Sequence, residues 1–275
     1  MMSTYKNQET RETIGTPVAA VTGATGAIGK AIALGIAEKP GYTVVLLARN
    51  EDKAKRAVQD IAQATGNRQV RYELVDVSRR ASIQALAERW HGPLHVLVNN
   101  AAVTPRRRHE TAEGIELQLA TNVLGYVWMI QAFGEHLKQT APSRVVNVAS
   151  YWAGDLDVDD LEFKRRPYNN NKAYRQSKQA NRMLTVADAE RLRPCEVSVN
   201  ACHPGDVISK LSNNLGFGGS ETPEQGARTP VWLATDPIGQ AETGKYFEHL
   251  QEVRCRFGTD RQAVERLHQL CLSYE

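Results

Sequence analysis

Six short β-branched runs, several of them almost continuously apolar, limit what this chain can become. They are PVAAVTG (17–23), TVVLLAR (43–49), VRYELVDV (70–77), LHVLVNNA (94–101), SRVVNVAS (143–150) and VSVNACHPG (197–205). Such runs suit parallel strands covered on both faces. Helical patterns fill the intervals near 27–38, 51–65, 79–91, 112–138, 172–193 and 223–235. A weaker strand signal, GKYFE (244–248), and a terminal helix near 260–272 follow. The alternation predicts an α/β fold, a doubly wound parallel sheet of about seven strands with helices on both faces. Its ligands should sit at the carboxyl ends of the strands. No repeat, linker or composition break divides the chain. Residues 1–15 read as a flexible tail and 16–275 as a single domain.

Composition removes several function classes. A net charge of +3 from 34 basic and 31 acidic residues, with no basic stripe among aromatics, argues against nucleic acid. Cys195, Cys202, Cys255 and Cys271 form no C-x-x-C pair, so neither a metal site nor a disulfide framework is expected. No run approaches the roughly 20 apolar residues of a membrane span, and the polar N-terminus lacks a signal-like apolar core. A soluble, cytoplasmic protein is the expectation.

TGATGAIG (22–29) follows the first strand and opens the first helix. Glycines let the backbone approach a pyrophosphate, and free N–H groups at a helix N-terminus favour its charge. Gly23, Thr25, Gly26, Ile28 and Gly29 are therefore cofactor candidates. The second strand ends in LLARN, with Arg49 where an acid would hold the 2′-hydroxyl of NAD. With Lys30 adding a second positive charge, NADP(H) is favoured over NAD(H). Asp76 at the end of the third strand would either receive the adenine amino group or cap the next helix.

Taken together, the sequence resembles the short-chain dehydrogenase/reductase superfamily. The residues that carry the resemblance are TGATGAIG, Asp76-Val77, NNAA (99–102), Asn122, Ser150, Tyr174 with Lys178, and HPG (203–205). The segments LEFKRRPYNNNKAYRQSKQAN, VSVNACHPGDVISKL and TPEQGARTPVWLATDP look like its retinol-dehydrogenase-like branch. The resemblance implies a single-domain Rossmann fold and adds Val77, Asn99 and Ala101 to the cofactor candidates. Two departures stand out. Ala27 occupies the usual place of the middle glycine, and Ala102 replaces the last glycine of NNAG.

Carbonyl reduction needs a positioned carbonyl, a hydride and a proton for the developing alkoxide. Tyr-x-x-x-Lys places an ammonium one turn from a phenol only if the segment is helical. The motif occurs twice, as Tyr168/Lys172 and as Tyr174/Lys178. Tyr168 precedes three asparagines, which prefer caps and turns. Ala173, Ser177, Ala180, Leu184 and Ala187 then recur as a helical stripe, with Asn170 or Asn171 as the N-cap. The helix phase therefore selects Tyr174/Lys178.

The resemblance agrees and implies the remaining roles. Tyr174 would donate the proton, while Lys178 would bind the nicotinamide ribose and lower the tyrosine pKa. Ser150 would hold the substrate oxygen. Asn122 would anchor a water leading to Lys178 or serve as a helix-bend residue. Pro204, Gly205 and Val207 would pass beneath the nicotinamide, with Ser209 giving its hydroxyl to the carboxamide or capping a helix. Trp152, Leu156, Val103 and Thr104 are candidates for an apolar substrate pocket. The insert 151–171 reads as a solvated loop, Arg106-Arg107-Arg108 as an exposed charge run, and the region around 206–222 as a lid. Family members often form dimers or tetramers through the helices at 112–138 and 172–193. The expected activity is reduction of a medium-sized apolar carbonyl compound, or the reverse. Reduction of a ring double bond and a non-catalytic NADP(H) sensor are the alternatives.

Overall fold

A computed structural model describes residues 15–274. The expected tail therefore lies almost wholly outside the described residues. The first half alternates β1 (Val18–Thr22), α1 (Ala27–Ala37), β2 (Thr43–Ala48), α2 (Glu51–Thr65), β3 (Val70–Leu74), α3 (Arg80–Glu88) and β4 (Val96–Asn99). Next come α4 (Leu117–Leu119), a π-helical turn (Ala120–Leu124), α5 (Gly125–Gln139), β5 (Ser143–Val148), α6 (Asn170–Leu192) and β6 (Val197–Cys202). The chain closes with α7 (Lys210–Leu215), α8 (Pro223–Thr235), α9 (Ile238–Ala241), β7 (Tyr246–Glu248), β8 (Gln251–Glu252) and α10 (Arg261–Leu272).

The strands form one sheet in the order β3-β2-β1-β4-β5-β6-β7-β8, parallel throughout except for β8. Side-chain alternation divides the core. Ala20, Val45, Leu97, Val145 and Val199 face α3, α5, α6 and α10, whereas Ala19, Val44, Val98 and Val146 face α1, α2 and α8. The order reverses between β1 and β4, which opens a crevice above their carboxyl ends.

The sheet has the expected architecture with one strand beyond about seven, and two helix boundaries need correcting. The sheet has eight strands, because the polar pair Gln251–Glu252 adds an antiparallel edge after a turn at His249 and Leu250, both at positive φ. No apolar period marks such a strand. Helix near 112–138 begins only at Leu117 and is interrupted by the π turn. On α6 the N-cap is Asn169, whose side chain accepts from Lys172 N at 2.9 Å, one residue before the expected cap. α10 lies across α6 of its own chain. His268 lies 3.5 Å from Asp188, and Trp128 Nε1 donates to Tyr274 O at 3.3 Å. Part of the surface expected to serve assembly is thus covered from within.

The insert 151–171 is packed rather than solvated. Leu161 and Phe163 are buried, and Asp160, 7% exposed, accepts from the backbone N–H groups of Lys164 (2.7 Å), Arg165 (3.2 Å) and Arg166 (3.2 Å). Tyr168 closes it by donating to Pro105 O at 2.9 Å and accepting from Gln118 Nε2 at 2.8 Å. Arg108 is tied in as well, donating to Glu162 O and pairing with Glu110. Removing the Asp160 acceptor strands three N–H groups, so Asp160→Ala should cost about 1–3 kcal/mol. Asp160→Asn keeps one acceptor oxygen and should cost less. Urea unfolding midpoints check this, and equal midpoints for wild type and Asp160→Ala would contradict it.

Candidate active site

Two cavities with shared lining open at the carboxyl ends of the strands. The larger, of about 570 Å³, follows the loop between β1 and α1 and reaches Arg49, Asp76 and Ala101. The smaller, of about 50 Å³, is lined by Ser150, Trp152, Tyr174, Lys178, His203 and Phe217. Ile28, Asn100 and Ala102 border both.

In the larger cavity the loop is shaped by close approach. Gly23 has φ +65°, and a Cβ there would stand 2.9 Å from Ala101 Cα. A Cβ on Gly29 would meet Gly23 O at 2.3 Å. Gly26 caps α1 without a side chain, and no acidic residue stands in the first turn, so the first amides keep their donors for a ligand. A glycine turn leading into an uncapped helix fits the phosphates of a dinucleotide. Thr25, Gly26, Ile28 and Val77 line this cavity, as does Ala27.

Arg49 is exposed on the same wall. Lys30 is not its companion: Nζ pairs with Asp60 at 2.6 Å, because α1 and α2 run side by side. Lys53 takes that place on the wall. Glu51, the nearest acid, is engaged by Lys55 and by the Tyr72 hydroxyl. Asp76 lines the cavity while accepting from Ser78 N (3.0 Å) and Ser78 Oγ (2.7 Å). It does not cap α3, whose N-cap is Arg79.

At the smaller cavity, β5 delivers Ser150 and α6 delivers Tyr174 and Lys178 from one helix face. Burial pushes the Tyr174 phenol up to about 12, and a hydrogen bond with Ser150 opposes that rise. Lys178 is 2% exposed and donates to Val148 O at 2.7 Å. Burial brings its pKa down to about 7. Its Nζ lies 5.8 Å from the Tyr174 ring centroid. A buried ammonium needs an acceptor, and the strand-end carbonyl supplies one.

Several other candidates are placed differently from expectation. Asn99 is fully buried and donates to Asn147 Oδ1 at 3.0 Å, while Asn100 borders the cavities. Strand parity explains the difference, since Asn99 continues the face of Leu97. Asn122 lies in the π turn, where its side chain clamps Val103 N (2.8 Å) and Val103 O (3.1 Å). Its carbonyl accepts from Asn181 Nδ2 at 2.8 Å. Ser209 caps α7 in a reciprocal box with Ser212, so its hydroxyl is already engaged. Pro204, Gly205 and Val207 line the smaller cavity, and Gly205, at φ +103°, leaves room for Glu221. Val103 and Thr104 line the larger cavity, and Leu156 packs into the core instead of the site. Among residues not foreseen, His203 and Asp206 line the smaller cavity. HPG pointed at this segment, but only its proline and glycine were legible as site residues.

A glycine turn at the first strand of a doubly wound sheet, beside a cavity lined by a serine, a tyrosine and a lysine, defines a dinucleotide-dependent oxidoreductase. The short chain dehydrogenase family model matches residues 17–216, and the chain belongs to the short-chain dehydrogenase/reductase family, whose members use a nicotinamide cofactor. Within that family it is retinol-dehydrogenase-like. It is 34% identical to the "Probable oxidoreductase" of Streptomyces antibioticus, covering 89% of this chain and 88% of that one. It is 35% identical to retinol dehydrogenase 11 of Homo sapiens, covering 84% and 76%. A solved structure of an uncharacterised protein from Mycobacterium paratuberculosis superposes with a TM-score of 0.78 at 25% identity, covering 94% of each chain. The Pseudomonas aeruginosa RhlG/NADP complex shares the fold, with a TM-score of 0.68 at 24% identity over 86% of this chain and 95% of that one. Among the described residues no helix is long and apolar enough to cross a membrane, and no group of three or more His, Cys, Asp or Glu could hold a metal.

Proposed function

We propose that residues 16–275 form one NADP(H)-dependent carbonyl reductase or alcohol dehydrogenase unit for a medium-sized apolar compound. The observation that carries this reading is the convergence of Ser150, Tyr174 and Lys178 on one cavity beside the dinucleotide cleft. Gly23, Gly26 and Gly29 would admit the phosphates, Asp76 would face the adenine, and Lys178 would bind the ribose. When bound, the reduced nicotinamide supplies the hydride. Ser150 holds the substrate oxygen, and Tyr174, protonated at neutral pH, delivers the proton to it. Trp152 and Phe217, with ring centroids 4.9 Å apart, favour an apolar body on the substrate. Four unpaired cysteines suit the reducing cytoplasm.

Reduction of a panel of aldehydes and ketones with NADPH tests the activity, and no turnover across the panel would sink it. Cofactor choice rests on Arg49, exposed on the cleft wall, with Glu51 engaged elsewhere. Arg49→Ala should weaken NADPH by about tenfold or more, from the loss of a charge-assisted bond, and leave NADH nearly unchanged. Fluorescence titration with both cofactors decides; equal losses for the two would contradict the NADP(H) preference.

A further inference from the structure

The catalytic cavity has an aromatic side, Trp152 with Phe217, and a polar side that an apolar substrate leaves unused. The polar side consists of His203 and Asp206 joined through Tyr151. The Tyr151 hydroxyl donates to Asp206 Oδ2 at 3.2 Å, and its ring stands edge-on to His203 with centroids 4.6 Å apart. His203 is 6% exposed, its Nδ1 is buried without a partner, and its side chain makes no hydrogen bond among the described residues. Burial, with the nearby His249 and Arg182, brings its pKa down to about 3, so the ring is neutral and offers one N–H and one lone pair. Buried polar groups are nearly always bonded, and an unmet one in a ligand cavity points to the ligand. Asp206 lies close enough to Tyr174 for its charge to raise the phenol pKa, so a carboxylate borders the reacting centre. Among the described residues its side chain accepts only the Tyr151 bond, leaving further acceptor capacity.

A ketone or ether oxygen accepts but cannot donate, so it would satisfy His203 and leave Asp206 facing a lone pair. A hydroxyl accepts from the imidazole N–H and donates to the carboxylate. Building on the carbonyl-reduction reading above, we propose that His203 and Asp206 form a specificity site for a hydroxyl on the carbon beside the reacting carbonyl. The preferred substrates are then α-hydroxy ketones or α-hydroxy aldehydes with an apolar or aromatic remainder. Reduction adds a hydride from the reduced nicotinamide to the carbonyl carbon and the Tyr174 proton to its oxygen. The product is a vicinal diol, and the nicotinamide is left oxidised.

Binding and turnover are tested separately. Acetophenone, 2-hydroxyacetophenone and 2-methoxyacetophenone are titrated calorimetrically into protein saturated with NADP⁺, where no ketone is reduced. The hydroxy ketone should bind about tenfold more tightly than the other two, as a hydrogen bond to a charged group allows. In His203→Phe, which keeps a ring against Tyr151, and in Asp206→Asn, which keeps the shape, the preference should fall towards one. No binding of the hydroxy ketone, equal binding of all three, or a preference unchanged in both variants overturns the proposal. Turnover of the same ketones with NADPH tests the carbonyl reading. A hydroxyl preference in binding without any reduction would sink that reading and leave the specificity site standing.

Discussion

Tyr174→Phe should lower kcat/KM for carbonyl reduction by about 10²–10⁴-fold, the usual contribution of a positioned general acid. The substitution removes one oxygen and keeps the ring, which is 8% exposed on α6. Fold and NADPH affinity should therefore change little, and the loss should fall on the chemical step. Because burial holds the phenol near pKa 12, with Asp206 and Tyr151 pushing the same way against Ser150, the donor is loaded throughout the neutral range. Loss of the Tyr174 proton should accordingly not limit reduction there. Oxidation of the alcohol needs the phenolate, so its rate should climb as pH rises towards that pKa. The matched control is Tyr168→Phe. That hydroxyl braces Gln118 and the carbonyl of Pro105 and does not line the cavity of Tyr174, so its removal should cost about 1 kcal/mol of stability and little activity. Initial rates on a turned-over aldehyde decide. A Tyr174→Phe enzyme within tenfold of wild type would refute the assignment of the proton donor.

The second large effect is expected from Gly29→Ala. A methyl there would stand 2.3 Å from the backbone Gly23 O, a contact that no side-chain rotation relieves, and 2.6 Å from the side-chain Asn100 Nδ2. The loop or β4's end must shift, at about 1–3 kcal/mol for overpacking of this kind. Because the displaced atoms form the cleft wall, NADPH affinity should fall by roughly 10–100-fold. Gly66→Ala is the control. It sits at φ +71° in the C-cap of α2 with nothing within 4 Å, so strain should lower stability and spare cofactor binding. NADPH titration of both variants, with melting curves alongside, distinguishes them. A Gly29→Ala protein that binds NADPH within twofold of wild type would show that the close approach is not needed.

What the sequence determined is local and periodic. Apolar runs a strand long, separated by helical stripes, fixed the doubly wound sheet, and the glycines between β1 and α1 marked the loop that lines the larger cavity. Helix phase chose Tyr174 over Tyr168, since α6 begins at Asn170 and only the later pair shares its face. These signals depend on neighbours within a turn or a strand, where side-chain spacing maps directly onto geometry.

The tertiary structure decided where each polar group spends its hydrogen bonds. Lys178 turns to Val148 O, the Asn122 carbonyl to Asn181, Lys30 to Asp60 and Ser209 to Ser212. Asp160 folds an insert whose charge pattern read as solvated. His203 and Asp206 reach the cavity of Ser150 and Tyr174 because β6 and the segment after it end beside α6. No period encodes such choices. A buried polar atom takes whichever partner the packing brings within about 3 Å, and for most of these groups that partner comes from a distant part of the chain.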